Sequence, residues 1–215
     1  MKEHKGVWIP DKETANFWSD KYDEKEYDKL NLSGNVCLDI GAHIGLWTKR
    51  LSKDFSKVIC FEPLQKHIEC HKKNCEGLDN ITLHECALSD VEANGLMKTQ
   101  DYNSGISSLQ TGFKDKLTSI DPHSFKENYM VKTKTLDSFN ISGIDFIKID
   151  VEGYELHVLS GGRETIAKNK PKLFIEIWNS NLRSASYILS EMGYSLIKMS
   201  NNVDSIQQNY LAVVK

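Results

Sequence analysis

Apolar runs alternate with apolar stripes at helical spacing over most of this chain. The run VCLDIG (36–41) reads as a strand ending in a glycine turn, and Ile44, Trp47 and Leu51 then mark one face of a helix. KVICFEP (57–63) is a second strand, halted by Pro63, and Leu64, Ile68, His71 and Cys75 trace a second helix. ITLHECALS (81–89), DFIKIDVEG (145–153) and KLFIEIW (172–178) supply the third, fourth and fifth strands. Leu182, Ala185, Leu189 and Met192 mark a further helix, with Gly193 placed to cap its C-terminus. YSLIKM and NYLAVVK close the chain as a strand pair joined by a polar turn near Asn201 and Asn202.

This alternation predicts an α/β fold: a doubly wound, mostly parallel seven-stranded sheet of Rossmann-like form, with an antiparallel strand at the C-terminal end. The domain is expected to span residues 34–215. Residues 1–33 form an N-terminal extension; its residues 1–30 are polar, with Trp8, Trp18 and Tyr22 interspersed, and read as a short helical segment covering part of the domain. Residues 91–140 are too long for a simple connection, so they are expected to be functional or a small β-rich elaboration. No internal repeat or low-complexity tract is evident.

Composition narrows the function. Apolar residues make up 40% and charged residues 27%, as in soluble globular proteins, and the net charge of −3 offers no broad basic field for nucleic acid. The lysine clusters near 48–57 and 126–134 read as solvated faces. No apolar run approaches the ~20 residues that span a bilayer, and MKEHKGVWIPDKE lacks the apolar core of a signal peptide. Cys37, Cys60, Cys70, Cys75 and Cys86 are odd in number and fit buried, reduced thiols better than a disulfide framework. The expectation is a cytoplasmic protein with no membrane or nucleic-acid partner.

The first turn bears on the cofactor. In open α/β sheets, ligands sit beyond the carboxyl ends of the strands, beside the first strand. Asp39, Gly41 and Gly45 fall there. A dinucleotide fingerprint needs a glycine two positions after the first, so that backbone approaches a pyrophosphate; here that place is His43. S-adenosylmethionine has no phosphate. Asp39 suits its ammonium, directly or through water, and the turn amides suit its carboxylate. Glu62 ends the second strand, and an acid about 20 residues on typically takes ribose hydroxyls. Nicotinamide cofactors share that feature, so only the turn disfavours a nicotinamide oxidoreductase.

With LDIGAHIG (38–45), CFEP (60–63), CALSD (86–90), NSGISSL (103–109), TLDSF (135–139), IDFIKIDVEGYE (144–155), PKLFIEIW (171–178) and NYLAVVK (209–215), the chain resembles the FkbM-type S-adenosylmethionine-dependent methyltransferases. The resemblance runs in order over roughly residues 34–215 and implies a class I methyltransferase fold. It implies that Asp39, Gly41, Ala42, His43 and Gly45 hold the methionine end of the cofactor and that Glu62, with Pro63, binds the ribose. Ala87, Leu88 and Ser89, with Asp90, would line the adenine. Asp150 would lie beside the reacting methyl group, as both cofactor contact and candidate catalytic acid, with Glu152 and Glu176. The family often has His where Trp178 stands, so a histidine base is not expected here. The implied reaction is O-methylation of a sugar, glycan or related small metabolite.

Removing a hydroxyl proton asks for a partly buried carboxylate, which Asp150 or Glu152 can supply. The same acids with Glu176 also suit a divalent metal that organises sugar hydroxyls; no residue is assigned to a metal. The plainer alternatives are that Glu152 caps the following helix and Glu176 pairs with a lysine. Asn103, Ser104, Gly105, Ser107 and Ser108 read as a lid or cofactor-side loop, and Asp137 as a brace. His67, His71, Cys70 and Cys75 share helical spacing but lack a second ligand cluster for zinc. A module that binds S-adenosylmethionine without catalysis is the other reading. Residues 1–33 are open to covering the acceptor site, ordering on binding, or joining a homodimer contact.

Overall fold

A computed structural model describes residues 1–12, 24–99, 107–110, 127–199 and 205–215. In chain order, β1 (Lys2–His4) and β2 (Val7–Ile9) form a hairpin, followed by α1 (Glu24–Leu30), β3 (Gly34–Ile40), α2 (Leu46–Leu51), β4 (Phe55–Phe61), α3 (Gln65–Asn74) and β5 (Ile81–His84). Next come β6 (Ala87–Leu88), β7 (Ala93–Thr99), β8 (Ser107–Gln110) and β9 (Glu127–Lys134). The chain ends with β10 (Ile144–Ile149), α4 (Glu155–Gly161), α5 (Arg163–Asn169), β11 (Lys172–Trp178), α6 (Leu182–Glu191), β12 (Tyr194–Lys198) and β13 (Gln207–Val214).

The main sheet has seven strands in the order β12-β13-β11-β10-β3-β4-β5. Only β13 runs antiparallel to its neighbours, one strand in from the edge. The two-residue period of a strand gives the sheet two buried faces. Leu38, Ile59 and Ile147 lie in one core with Val158, Leu159, Ile166 and Leu189 from α4, α5 and α6. Their neighbours Cys37, Cys60 and Phe146 lie in the other, with Tyr27, Leu30, Trp47 and Leu51 from α1 and α2. This is the doubly wound arrangement. Chain order reverses between β3 and β10, so the ligand-binding crevice is expected beyond their carboxyl ends. Gly193 follows α6 with φ +83°, the left-handed stop expected of it.

Two sequence expectations need correction. The run 81–89 is not one strand: Cys86 N–H donates to the His84 carbonyl at 3.0 Å, breaking the ladder, and β6 leaves to pair with β9. The insertion is β-rich, a four-stranded sheet in the order β6-β9-β7-β8. Residues 2–9 are also not helical. Lys5 and Gly6 have φ +50° and +79°, the two left-handed residues that close a tight hairpin. Ile9 of that hairpin packs on Ile44 and Cys70, and the Asn74 amide donates to the carbonyls of Trp8 (2.9 Å) and Ile44 (2.7 Å). Trp18, Tyr22, Asn201 and Asn202 lie outside the described residues. All five cysteines are buried, and burial pushes the Cys75 thiol up to about 12 and Cys86 to about 11. Among the described residues no helix is long and apolar enough to cross a membrane.

Asp137 braces a helix end. Its carboxylate accepts from the backbone N–H groups of Thr165 (2.8 Å) and Glu164 (3.2 Å) in the first turn of α5, which have no partner within the helix. Asp137→Ala is expected to cost about 1 kcal/mol and lower Tm by roughly 2–4 °C. Thermal unfolding followed by circular dichroism checks this; an unchanged Tm would mean that water replaces the carboxylate at no cost.

Candidate functional site

The parallel strands β3, β4, β10 and β11 bring their carboxyl ends to one edge, and with them Asp39, Glu62, Asp150 and Glu176. Asp39 is fully buried. Its Oδ2 accepts from Thr48 Oγ1 at 2.6 Å. Thr48 has one proton to give, so His71 Nε2, 3.0 Å away, donates to the Thr48 oxygen. Asp39 Oδ1 has no hydrogen-bond partner among the described residues, and the Lys148 ammonium lies 3.5 Å from it.

Lys148 stands opposite Asp39 in the ladder between β10 and β3 and is only 3% exposed. Its ammonium donates to the Gly41 carbonyl at 3.0 Å and lies 3.3 Å from Asp150 Oδ2. Burial opposes the charge, but Asp150 and Asp39 outweigh it and hold the lysine above its usual range. Sequence reasoning passed over this residue. The available signal was a charge inside the apolar run FIKI, two positions from Asp150 and so on the same face of the strand.

The turn after β3 is built on left-handed backbone, with φ +79° at Gly41, +51° at His43 and +89° at Gly45. Glu62 closes over it. Its Oε2 accepts from the His43 N–H at 2.9 Å; Oε1 accepts from the Leu64 N–H at 3.0 Å and lies 3.1 Å from His67 Nδ1. Burial raises the Glu62 carboxyl despite these donors and lowers His67 to about 3, so His67 is neutral and donates from Nδ1. The His43 and His67 rings lie 4.0 Å apart between centroids. Both Glu62 oxygens therefore face partners within the protein. His67 and His71, which lack a second ligand cluster for zinc, serve Glu62 and Thr48.

Ala87, Leu88 and Ser89 are buried, and Ala87 shares an apolar cluster with Leu64, Leu109, Val131 and Tyr154. Pro63 is half-buried beside Leu64. Ser89 Oγ donates to Asp90 Oδ1 at 3.0 Å and lies 3.2 Å from the Tyr154 hydroxyl. His157 stacks on Tyr154 at 4.1 Å, with its Nδ1 3.0 Å from Asp90. An apolar wall thus stands beside a polar edge. Asn103, Ser104 and Gly105 lie outside the described residues, and Ser107 and Ser108 belong to β8.

Asp150, Glu152 and Glu176 converge: one carboxylate oxygen of each lies within 4.8 Å of the others. Burial, followed by repulsion from Asp150 and Glu152, pushes Glu176 up to about 10, which favours its protonated form facing Asp150. Burial and Asp150 likewise raise Glu152 well above the usual range. These three acids could hold either protons or a divalent cation. Glu152 does not cap α4; it has φ +51°, and with Gly153 at +91° it turns the chain from β10 toward the helix. The cation nearest Glu176 in effect is the shared Lys148 rather than a lysine of its own.

Trp178 is buried under this turn. A side chain at Gly153 would meet its ring at 3.2 Å. The Trp178 N–H donates to Glu155 Oε1 at 2.9 Å, and Asn181 ties the same oxygen (3.1 Å) to the Gly153 carbonyl (3.0 Å). Glu155, fully buried, is a second residue that the sequence left unassigned.

A family model for the methyltransferase FkbM domain matches residues 39–196. The 2-O-methyltransferase NoeI of Sinorhizobium fredii is 29% identical over 148 residues, which cover 63% of this chain and 60% of that protein. The chain thus spans about three-fifths of the length of this curated relative. Among solved structures, the methyltransferase FkbM of Methylobacillus flagellatus aligns with a TM-score of 0.56 and 21% identity over 84% of this chain and 43% of that one. A precorrin-6y C5,15-methyltransferase of Geobacter metallireducens aligns with a TM-score of 0.56 and 13% identity over 98% and 100%. Both likenesses concern the fold.

Proposed function

Because the chain belongs to the methyltransferase FkbM domain family, we propose that it transfers a methyl group from S-adenosylmethionine to an oxygen of a sugar, glycan or related small metabolite. The observation that carries the proposal is the family match itself, which contains Asp39, the glycine turn, Glu62 and the acids after β10 and within β11. The cofactor, when bound, supplies the methyl group as an electrophile. The residues suit it: Asp39 Oδ1 is buried with no hydrogen-bond partner among the described residues, and the turn is left-handed at Gly41, His43 and Gly45. Asp39, Gly41, Ala42, His43 and Gly45 would hold the methionine end, and Ala87, Leu88 and Ser89 the adenine. Glu62, with Pro63, would reach the ribose after exchanging an internal donor for a hydroxyl.

Asp150, beside the Lys148 cation, is the base for the acceptor hydroxyl; Glu176 keeps its proton, and Glu152 completes the acceptor floor. An oxygen acceptor is supported by the name of the 2-O-methyltransferase relative. A sugar or glycan is supported by the family resemblance.

Calorimetric titration of metal-stripped protein tests this. Micromolar binding of S-adenosylmethionine and S-adenosylhomocysteine is expected, with none for NAD. Adding magnesium is expected to leave these affinities unchanged, because Lys148 and the Glu176 proton already offset the clustered acids. NAD binding without the sulfur compounds would overturn the cofactor assignment. Binding that appears only with magnesium would assign Asp150, Glu152 and Glu176 to a metal. Binding without turnover across glycan, lipid and peptide panels would favour the non-catalytic module.

A further inference from the structure

A lysine buried at the centre of a parallel sheet needs a reason. Taking an ammonium out of water costs several kcal/mol unless it is well paired, and an apolar residue of similar volume would fill the space as well or better. Lys148 has three N–H donors and three oxygens around it: Gly41 O at 3.0 Å, Asp150 Oδ2 at 3.3 Å and Asp39 Oδ1 at 3.5 Å. The Trp47 ring, 6.0 Å from the ammonium, lies on another side. These oxygens belong to three different parts of the site. Gly41 is the first residue of the glycine turn, Asp39 is the acid before it, and Asp150 follows the neighbouring strand across the switch point.

We propose that Lys148 is a positioning residue that clamps the glycine turn to Asp39 and Asp150, so that the cofactor loop and the acid facing the acceptor hold one geometry. The proposal rests on the cofactor reading of the preceding section. Its physical content is that one cation fixes the distance between the glycine turn and the segment after β10, where the Val151 side chain also lies close to Gly41. The backbone already brings them close: Asp150 N–H donates to the Ile40 carbonyl at 3.1 Å. Lys148 adds the bond to the carbonyl of Gly41, which a sheet ladder cannot supply because the strand has ended. The clamp also works on the acids beyond it, since its charge opposes the upward shifts of Glu152 and Glu176.

The test is the affinity of the purified full chain for S-adenosylhomocysteine, measured by calorimetry. It compares the parent, Lys148→Met, Lys148→Arg, Asp39→Asn and the Lys148→Met/Asp39→Asn double variant, each with its circular dichroism spectrum and Tm. Lys148→Met is expected to bind at least tenfold more weakly than the parent. Lys148→Arg, which keeps the cation, is expected to bind at least threefold more tightly than Lys148→Met. The double variant removes the fully buried Asp39 charge that Lys148→Met would leave without its cation, so it carries the test if Lys148→Met does not fold. It is expected to bind at least threefold more weakly than Asp39→Asn alone, because the hold on Gly41 is also lost. Folded Lys148→Met that binds within twofold of the parent would overturn the clamp. So would a double variant equal to Asp39→Asn, which would make Lys148 only the counter-ion of Asp39. Failure of the parent to bind is visible before any variant is compared; it removes the cofactor reading, and the clamp with it.

Discussion

Gly41→Ala is expected to abolish cofactor binding and to destabilise the chain by more than about 4 kcal/mol, at the extreme of single-residue effects. Two costs add. Gly41 has φ +79°, where a side chain is strained by roughly 1–2 kcal/mol. A Cβ there would also stand 1.8 Å from the Asp150 carbonyl oxygen and 3.0 Å from its carbon. That obstacle is backbone, so no rotamer change relieves it. Nor can Gly41 retreat: its N–H is bonded to the Phe61 carbonyl at 3.0 Å and its own carbonyl to Lys148. The substitution must therefore pry β3 from β10 at the place where the ligand is expected. Gly77→Ala is the internal control. Gly77 has φ +82°, but nothing lies within 4 Å of its added Cβ, so only strain of about 1–2 kcal/mol is expected. Urea denaturation of the two variants, with S-adenosylhomocysteine titration of each, separates crowding from strain. Equal losses in both, with binding kept in Gly41→Ala, would show that the close approach is not needed.

The sequence shows the main sheet because its strands are buried on both faces and read as apolar runs such as FIKID and LFIEI, broken by glycine and proline. It also places the antiparallel strand near the C-terminal end. The split at His84–Cys86 is not legible, since Cys86, Ala87 and Leu88 continue the apolar run and only a backbone bond ends the strand. The N-terminal hairpin is likewise hidden: Lys5-Gly6 is a weak turn signal within a polar segment. In the site, the acids are legible because Glu62 and Asp150 follow a strand and Asp39 and Glu176 lie near the carboxyl end of one. Their partners are not. His67, His71 and Thr48 come from helices whose apolar spacing says only which face is inward, and Lys148 appears as one charge in a hydrophobic strand. Partnership depends on which strands are neighbours, and β3 and β10 are more than 100 residues apart in the ladder, as Asp39 and Lys148 show.

Glu176→Gln is expected to stabilise the protein increasingly as pH rises above about 5, by a few kcal/mol at pH 9, while changing little at pH 4. The folded carboxyl stands at about 10 rather than near the ordinary 4.5. Below about pH 4.5 the group is protonated whether the chain is folded or not, and its stabilising contribution is fully present. Between about 4.5 and 10, unfolding releases the proton, so stability falls with rising pH by up to ~1.4 kcal/mol per unit. Glutamine keeps a donor facing Asp150 and cannot ionise, so it removes that slope. The proton belongs to the trio as much as to one residue, because Asp150, Glu152 and Glu176 lie within 4.8 Å of one another. Urea denaturation of parent and variant at pH 4, 7 and 9 reads the difference. Parallel pH dependence would mean that Glu176 is ionised in the folded protein, adding its charge to those of Asp39 and Asp150 around a single lysine. A cluster in that state needs a further cation, and the magnesium titration would then decide the chemistry of the site. A widening gap between the two proteins would instead make the Glu176 proton, with Lys148, the group that lets Asp150 stand as the lone base.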